Sequence, residues 1–169
     1  MIELTHGPDD SDAALHAHLK DEADTLAMGA KLAPALASGL VIYLEGDLGA
    51  GKTTLVRGLL RALGHAGSVK SPTYTLIEPY VVSRLNLYHF DFYRFTSAEE
   101  YLDAGLDEYF ANHGVCLVEW PDKAAPYVAP PDVVIRLTVT GDGRDIAIRP
   151  ETELGRQCTE QLAAPPPPR

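Results

Sequence analysis

One short stretch of the sequence combines residue types that bind phosphate groups. Residues 46–53 read GDLGAGKT and match the pattern G-x-x-x-x-G-K-[ST] at every fixed position. The three glycines let backbone N–H groups approach phosphate oxygens, because no Cβ stands between them. Lys52 brings a mobile ammonium group to the terminal phosphates, and the Thr53 hydroxyl is a hard oxygen ligand for Mg²⁺. The pattern therefore predicts a site for a nucleoside triphosphate and its metal.

A strand and a helix are predicted on the two sides of this loop. Leu40–Glu45 is mostly apolar, as expected for a strand that is buried on both faces of a sheet. Lys52–Leu63 predicts a helix, because leucines recur every fourth residue and form one apolar face. This helix would point its positive N-terminal end at a bound phosphate. We expect nucleotide contacts from Gly46, Asp47, Leu48, Gly49, Ala50, Gly51, Lys52, Thr53 and Thr54.

Two acidic residues stand at the ends of apolar segments further along the chain. Asp91 ends a segment that begins at residue 85, and Glu119 ends another that begins at residue 115. In an α/β sheet such ends lie beside the phosphate loop, where an acid helps to hold the metal. We predict that Lys52, Asp91 and Glu119 are catalytic, and that Thr53, Asp91 and Glu119 hold Mg²⁺ directly or through water. Either acid alone has a simpler interpretation, an ordinary strand-end carboxylate.

Charge is distributed unevenly along the chain. The formal net charge is −10, from 14 basic and 24 acidic residues among 169. Residues 1–28 hold seven acids and one lysine, whereas residues 48–96 hold six basic residues and two acids. The acidic total argues against nucleic acid or an anionic membrane as the direct partner, since such binders are usually basic. The basic middle is where an anion is expected, although a solvated basic surface would give the same excess.

The remaining pattern predicts further helices and strands. Asp12–Leu36 has helical composition, interrupted or ended near Pro34, and a capping box at Ser97–Glu100 begins another helix. Extended segments are expected at Ile2–Thr5, Thr73–Tyr80, Leu85–Tyr93, Val115–Glu119, Val133–Thr140 and Asp145–Arg149. The last two flank a hairpin turn signal. With the phosphate loop, these elements predict an α/β, P-loop NTPase-like three-layer fold in which helices flank a mixed β-sheet.

The length of the chain suits one main domain. We divide it into an acidic N-terminal extension (1–20), a P-loop ATPase domain (21–150), and a C-terminal helix or turn with a proline-rich tail (151–169). Four consecutive prolines predict that the tail is disordered. No apolar run reaches the ~18 residues of a membrane span, and the N-terminus lacks the pattern of a signal peptide. We therefore expect a cytoplasmic protein with no membrane partner.

The sequence lacks the motifs of several P-loop classes. A GTPase would carry an Asn-Lys-x-Asp guanine motif and a transporter ATPase a Ser-Gly-Gly signature, and neither is present. Small-molecule kinases usually have an arginine-rich lid, whereas the late arginines of this chain are spread over the hairpin. These absences narrow the class without naming a substrate.

Several stretches resemble the TsaE (YjeE) family, the small ATPase of bacterial tRNA threonylcarbamoyladenosine biosynthesis. They are TLAMG (25–29), GDLGAGKTTL (46–55), KSPTYTLIEPY (70–80), YHFDFYR (88–94) and CLVEWP (116–121), in the family's order. The His-x-Asp-x-Tyr-Arg signature is particular to that family. At period two, His89, Asp91 and Tyr93 face the same side of a strand. The resemblance spans about residues 21–150.

The resemblance implies a Mg²⁺-dependent ATP hydrolase that is weak alone and stimulated by the partner proteins TsaB and TsaD. With TsaC, those partners transfer a threonylcarbamoyl group to an adenosine of certain tRNAs. The net charge sharpens this expectation, because an acidic protein would handle ATP itself and reach tRNA through its partners. From the residues, a nucleotide-gated binding subunit with incidental turnover remains an alternative, and a small-molecule kinase is a weaker one.

The resemblance also implies roles for residues outside the phosphate loop. Ser71, Pro72 and Thr73 match a switch segment near the γ-phosphate. Arg144 is expected near the nucleotide, and Glu22 and Thr25 near adenine. Trp120 has two interpretations: an aromatic residue of the core, or a group that reports nucleotide binding or meets a partner.

Overall fold

Eight strands form one mixed sheet within residues 2–7 and 14–164, which the computed structural model describes. The strands are β1 (Thr5–His6), β2 (Leu15–Leu19), β3 (Val41–Glu45), β4 (Ile77–Val82), β5 (Leu85–Asp91), β6 (Val115–Glu119), β7 (Val133–Thr140) and β8 (Gly143–Pro150). The α-helices are α1 (Glu22–Leu32), α2 (Lys52–Ala62), α3 (Glu99–Asp103), α4 (Asp107–Phe110) and α5 (Glu153–Ala163). Short 3₁₀ helices follow at Ala33–Ala35 and Pro121–Ala124.

The strand order is β1-β2-β8-β7-β3-β6-β5-β4. The central strands β7, β3, β6 and β5 run parallel, and the remaining neighbours pair antiparallel. This arrangement confirms the predicted mixed sheet and the hairpin of β7 and β8. Because parallel strands end at the same edge, β3, β5 and β6 deliver their last residues to one place.

The two faces of the sheet bury different kinds of side chain. One face packs aliphatic residues of the strands against helix residues such as Met28 of α1, Leu55 of α2 and Leu162 of α5. The other face packs an aromatic cluster that includes Phe90 and Tyr101. Side chains alternate between the faces along each strand, as the apolar strand sequences require. The result is the predicted three-layer α/β fold.

Helices α1 and α2 approach each other through two glycines. A Cβ added to Gly29 would lie 2.1 Å from the carbonyl oxygen of Leu55, and one added to Gly58 would lie 2.1 Å from that of Leu26. Neither position has room for a side chain, so these glycines allow the backbones of α1 and α2 to pack closely. Since α2 begins at Lys52, the contact also positions the end of the phosphate loop.

The helix expected from Asp12 was wrong in its first part. Leu15–Leu19 forms β2, which pairs along its whole length with β8, and α1 begins only at Glu22. The sequence LHAHL buries its two leucines and exposes His18, and the Asp21 carboxylate then accepts the backbone N–H of Asp24 as an N-cap. The described part of residues 1–20 therefore contributes strands to the same sheet. Asp12 itself lies outside the described residues, as do the prolines of the predicted tail.

The extended segment expected at Thr73–Tyr80 was also wrong in its first part. Residues 72–75 form a turn, in which the N–H of Leu76 donates to the carbonyl of Pro72 at 2.8 Å, and β4 begins at Ile77. Leu76 has a positive φ of 69°, which breaks the extended path.

The capping box predicted at Ser97–Glu100 is formed in part: the Glu100 carboxylate accepts the N–H groups of Thr96 and Ser97. These bonds lower the pKa of Glu100.

None of the helices in residues 2–7 and 14–164 has the length and apolar composition of a membrane span.

Candidate functional site

The phosphate loop joins β3 to α2 through backbone conformations that glycine adopts readily. Gly46 has φ 152°, Gly49 has φ 81° and Gly51 has φ 104°. A Cβ on Gly46 would also lie 2.7 Å from the carbonyl oxygen of Leu137, so the loop packs directly on β7. Lys52 then starts α2, whose N-terminal N–H groups face the loop. At the loop tip, Leu48 is 64% exposed.

The ammonium group of Lys52 is buried and surrounded by three kinds of partner. Lys52 is 5% exposed, and its Nζ donates to the carbonyl oxygen of Gly46 at 2.5 Å. The same Nζ lies 3.8 Å from Oε1 of Glu119 and 4.2 Å from the ring centroid of Trp120. Burial lowers the pKa of Lys52, and the nearby carboxylates of Glu119 and Asp91 oppose that shift. The Lys52 ammonium group therefore lies between the phosphate loop, an acidic side chain and an aromatic ring.

The two predicted acids are brought together at the end of the sheet. Asp91 and Glu119 are paired residues of β5 and β6, and each is 3% exposed. Nζ of Lys52 lies 3.8 Å from Oε1 of Glu119, and Asp91 stands beside Glu119 on the neighbouring strand. Side chains so deeply buried carry charge only where partners compensate for lost hydration. The structure therefore places Lys52, Asp91 and Glu119 in one cluster, at the edge that also carries the phosphate loop.

Asp91 connects this cluster to the segment Ser71–Thr73. The hydroxyls of Ser71 and Thr73 donate to its Oδ2 at 3.2 and 3.0 Å, and their own oxygens lie 2.8 Å apart. The backbone N–H of Tyr93 donates to Oδ1 at 2.8 Å. Pro72 is buried between the two hydroxyl residues. The predicted switch segment is thus hydrogen-bonded to a predicted metal ligand.

His89 is a residue of this site to which we had assigned no role. It is 0% exposed, and its Nε2 lies 2.6 Å from Oε2 of Glu119. The signal available in the sequence was its position two residues before Asp91, which puts both side chains on one face of β5. Tyr93 does not continue that alternation, because the strand ends at Asp91 and the chain turns.

Trp120 lies between the aromatic core and the phosphate loop. Its backbone is left-handed, with φ 56° and ψ 49°, and its ring centroid is 5.1 Å from that of Tyr93. The indole Nε1 is buried without a hydrogen-bond partner among the described residues. The ring therefore packs against the aromatic cluster and also contacts Lys52.

Two cavities lie beside the phosphate loop. A cleft of about 540 Å³ is lined by residues that include Gly46, Asp47, Ala50, Lys52 and Trp120. A smaller cavity of about 270 Å³ is lined by Asp21, Glu22, Thr25, Gly49, Gly51, Thr54, Asp142, Gly143 and Arg144. Glu22 and Thr25, predicted near adenine, and Arg144, predicted near the nucleotide, therefore line one cavity.

The guanidinium of Arg144, which lines this smaller cavity, hydrogen-bonds the phosphate loop at Gly49 and Ala50. Its Nε donates to the carbonyl of Ala50 at 3.0 Å, and one terminal nitrogen donates to that of Gly49 at 3.1 Å. The other terminal nitrogen donates to Gly143 at 2.9 Å. All three bonds are to backbone oxygens, so the guanidinium joins the β7–β8 hairpin to the loop.

With this geometry in view, comparison with known proteins assigns the family. The family model for threonylcarbamoyl adenosine biosynthesis protein TsaE matches residues 19–146. The chain belongs to the TsaE family. The match includes the phosphate loop, both acids, the Ser71–Thr73 segment and Arg144, and it begins at the last residue of β2.

Individual TsaE proteins and one solved structure agree with this assignment. The tRNA threonylcarbamoyladenosine biosynthesis protein TsaE of Haemophilus influenzae is 40% identical over 148 residues, which cover 85% of this chain and 94% of that protein. The protein of the same name from Bacillus subtilis is 54% identical over 92 residues, covering 54% and 57% of the two chains. A crystal structure of YdiB from Bacillus subtilis superposes with a TM-score of 0.77 at 33% identity, covering 90% of this chain and 95% of that one.

Proposed function

We propose that this member of the TsaE family is a Mg²⁺-dependent ATPase that hydrolyses ATP in concert with a TsaB–TsaD complex during threonylcarbamoyladenosine modification of tRNA. The observation that carries the proposal is the cluster at the carboxyl edge of the sheet. A phosphate loop, a buried lysine and two buried carboxylates converge there. Phosphoryl-transfer sites need these parts for positioning and for compensation of charge.

The oxygen atoms at this edge suit magnesium that is bound together with a nucleotide. Magnesium in such sites is held by one or two carboxylates and by phosphate oxygens, rather than by a cage of protein ligands. Thr53, Asp91 and Glu119 would hold the ion, which would neutralise developing charge on the phosphates.

The protein groups have separate tasks in this scheme. Lys52 would leave the Gly46 carbonyl and stabilise charge on the terminal phosphates, with the loop N–H groups. Glu119 would orient the attacking water, since a carboxylate beside a cation is a poor base. Glu22, Thr25 and Arg144 line the cavity proposed for adenine.

A second candidate is a nucleotide-gated binding subunit in which turnover is incidental. The observation that favours it is the double hydroxyl contact of Ser71 and Thr73 with Asp91. A nucleotide or metal that engaged Asp91 would disturb this contact and could shift the segment between two positions. ATP and ADP would then set the affinity for a partner through different populations of these states.

A Glu119→Gln variant separates the two candidates. We expect ATP affinity to change less than about threefold, whereas hydrolysis stimulated by TsaB–TsaD falls about a hundredfold, because the amide orients water poorly. Repeated formation of modified tRNA should fall in parallel. Glu45→Gln is the matched control, since Glu45 also ends a strand but pairs with the exposed Arg136. Repeated product formation by the hydrolysis-deficient variant would favour the gated subunit.

Direct contact with tRNA is tested by binding of the isolated protein. A net charge of −10 provides no general attraction for phosphate backbones, so binding at low salt should be weak. Tight, salt-sensitive binding of tRNA by the chain alone would contradict the proposal that TsaB and TsaD mediate the contact.

A further inference from the structure

One buried histidine makes its hydrogen bond to a proposed catalytic group. His89 is 0% exposed, and its Nε2 lies 2.6 Å from Oε2 of Glu119. Its other ring nitrogen, Nδ1, is buried without a hydrogen-bond partner in residues 2–7 and 14–164. A leucine would fill such a position without leaving a polar atom unpaired, and unpaired buried polar atoms are costly. The contact with Glu119 is therefore the feature that an imidazole adds to this position.

The sheet register explains why these two side chains meet. His89 pairs with Leu117 of β6, and Glu119 follows two residues later on the same face of that strand. The residues before them on this face, Leu87 and Leu117, belong to the aliphatic core. Both backbones are regular strands, so the ring is held rigidly beside the carboxylate. A donor at this place can set the rotation of the carboxylate group.

The two carboxylate oxygens of Glu119 have different neighbours. Oε2 of Glu119 is engaged by His89, whereas Oε1 lies 3.8 Å from Nζ of Lys52, on the side of the phosphate loop. With Oε2 held by His89, Oε1 is the oxygen that lies toward Lys52 and the loop, where a water molecule or metal would bind. Partners of this kind orient the groups that contact metals, and their loss typically costs about 10–100-fold in affinity or activity.

We propose that His89 is the positioning residue of Glu119, and that its Nε2–H fixes the rotation of the carboxylate so that Oε1 faces the Mg-ATP site. This inference rests on the proposed ATPase function. It predicts that His89 affects the rate of hydrolysis more than nucleotide binding, because its contact is with Glu119 rather than with the phosphate loop.

Substitutions that keep or remove the donor test this role. In the presence of TsaB–TsaD, His89→Leu should lower kcat about 10–100-fold and change the KM for ATP less than about threefold. His89→Gln, which retains an N–H donor near the same place, should recover at least half of that loss on a logarithmic scale. Leu87→Ala is the control for a weakened core, because Leu87 is buried on the same face of β5 without touching Glu119. It should keep the wild-type kcat at temperatures where it is folded.

A spectroscopic measurement on the nucleotide-free protein tests the contact without any turnover. In NMR spectra of protein labelled with ¹⁵N-histidine, His89 should show a downfield, slowly exchanging Nε2–H proton. The loss of this resonance in His89→Gln would identify it. This resonance should move in Glu119→Gln, where the charged acceptor is lost, and stay in place in Glu45→Gln. A ring protonated at Nδ1 instead of Nε2, or a proton insensitive to Glu119→Gln, would overturn the proposal.

The two measurements distinguish failure of the inference from failure of the proposed function. If the wild-type chain hydrolyses no ATP with any partner, the ATPase proposal fails and the ring proton alone decides whether His89 holds Glu119. If the wild-type chain is active, wild-type kcat in His89→Leu would overturn the positioning role. Equal losses in His89→Leu and His89→Gln would also overturn it.

Discussion

Two cations hold the same phosphate loop from different sides. Lys52 is buried, bonds the first carbonyl of the loop and lies close to Glu119. Arg144 is partly buried and donates hydrogen bonds to the carbonyls of Gly49 and Ala50 in the middle of the loop. A single ammonium can move from a carbonyl to a phosphate, whereas a guanidinium fixed by three carbonyls keeps its geometry. From this difference we expect Lys52 to act on the ligand and Arg144 to act on the shape of the loop.

The largest expected effect is that of Lys52→Ala. Loss of the only loop ammonium should lower partner-stimulated ATP turnover at least about a hundredfold, as removal of a charge-stabilising group commonly does. Phosphate release at saturating ATP measures it. Arg61→Ala is the matched control, because Arg61 is an exposed cation at the other end of α2. Full activity of Lys52→Ala would place the chemistry elsewhere and remove the contrast with Arg144.

A methyl group at Gly58 tests how tightly α2, the helix that begins at Lys52, packs against α1. The new Cβ would lie 2.1 Å from a backbone oxygen of α1, so the helices must separate. We expect Gly58→Ala to lower the free energy of unfolding by about 1–3 kcal/mol, as overpacked cores do. Urea denaturation followed by circular dichroism measures this loss. Arg61→Ala is the control, because it changes an exposed position of the same helix. A Gly58→Ala variant as stable as the wild type would show that the helices can adjust.

A smaller effect is expected for Arg144→Ala. Without the guanidinium, the carbonyls of Gly49 and Ala50 lose their hydrogen-bond donors. Nucleotide affinity should then fall about 5–10-fold, in line with about 1–1.5 kcal/mol for such bonds. The rate at saturating ATP should change less than about threefold. Arg144→Lys should not restore affinity, because one ammonium cannot reach three carbonyls. If Arg144→Ala lowered kcat as strongly as Lys52→Ala, both cations would act on the ligand.

The smallest expected effect is optical. Trp120 is the only tryptophan, and Nζ of Lys52 lies 4.2 Å from its ring centroid. Movement of Lys52 toward a phosphate should change the emission of Trp120 when ADP or ATP is added. Arg144→Ala should retain the response at higher nucleotide concentration, whereas Lys52→Ala should lose most of it. An unchanged emission in the wild type at saturating nucleotide would mean that Lys52 stays on the ring.

The sequence allowed the strand and helix around the phosphate loop to be predicted, and also the positions of Asp91 and Glu119 at strand ends, because these features are local. Glycine spacing, apolar runs and strand ends depend on neighbouring residues. The error at Leu15–Leu19 arose because two leucines and an alanine also fit a helix, and only pairing with β8 decides for a strand. The turn at residues 72–75 depends likewise on hydroxyl contacts with Asp91, at a separation of about 20 residues.

The parts of the site that were missed are contacts over long sequence distances. His89 and Glu119 are 30 residues apart, and Arg144 is 94 residues from Ala50. Spacing along the chain indicated that His89 and Asp91 share a face, but the register of β5 on β6 decides which carboxylate the imidazole meets. The resemblance placed Arg144 near the nucleotide, and only the folded hairpin assigns its guanidinium to the loop carbonyls.

The central claim is most directly tested by phosphate release from Mg-ATP, measured for the chain alone, with TsaB–TsaD, and with TsaB–TsaD and substrate tRNA. We predict slow release by the chain alone, a marked increase with the partner complex, and loss of that increase in Lys52→Ala. Absence of release by the wild-type chain under all three conditions, or release that Lys52→Ala leaves intact, would contradict the account.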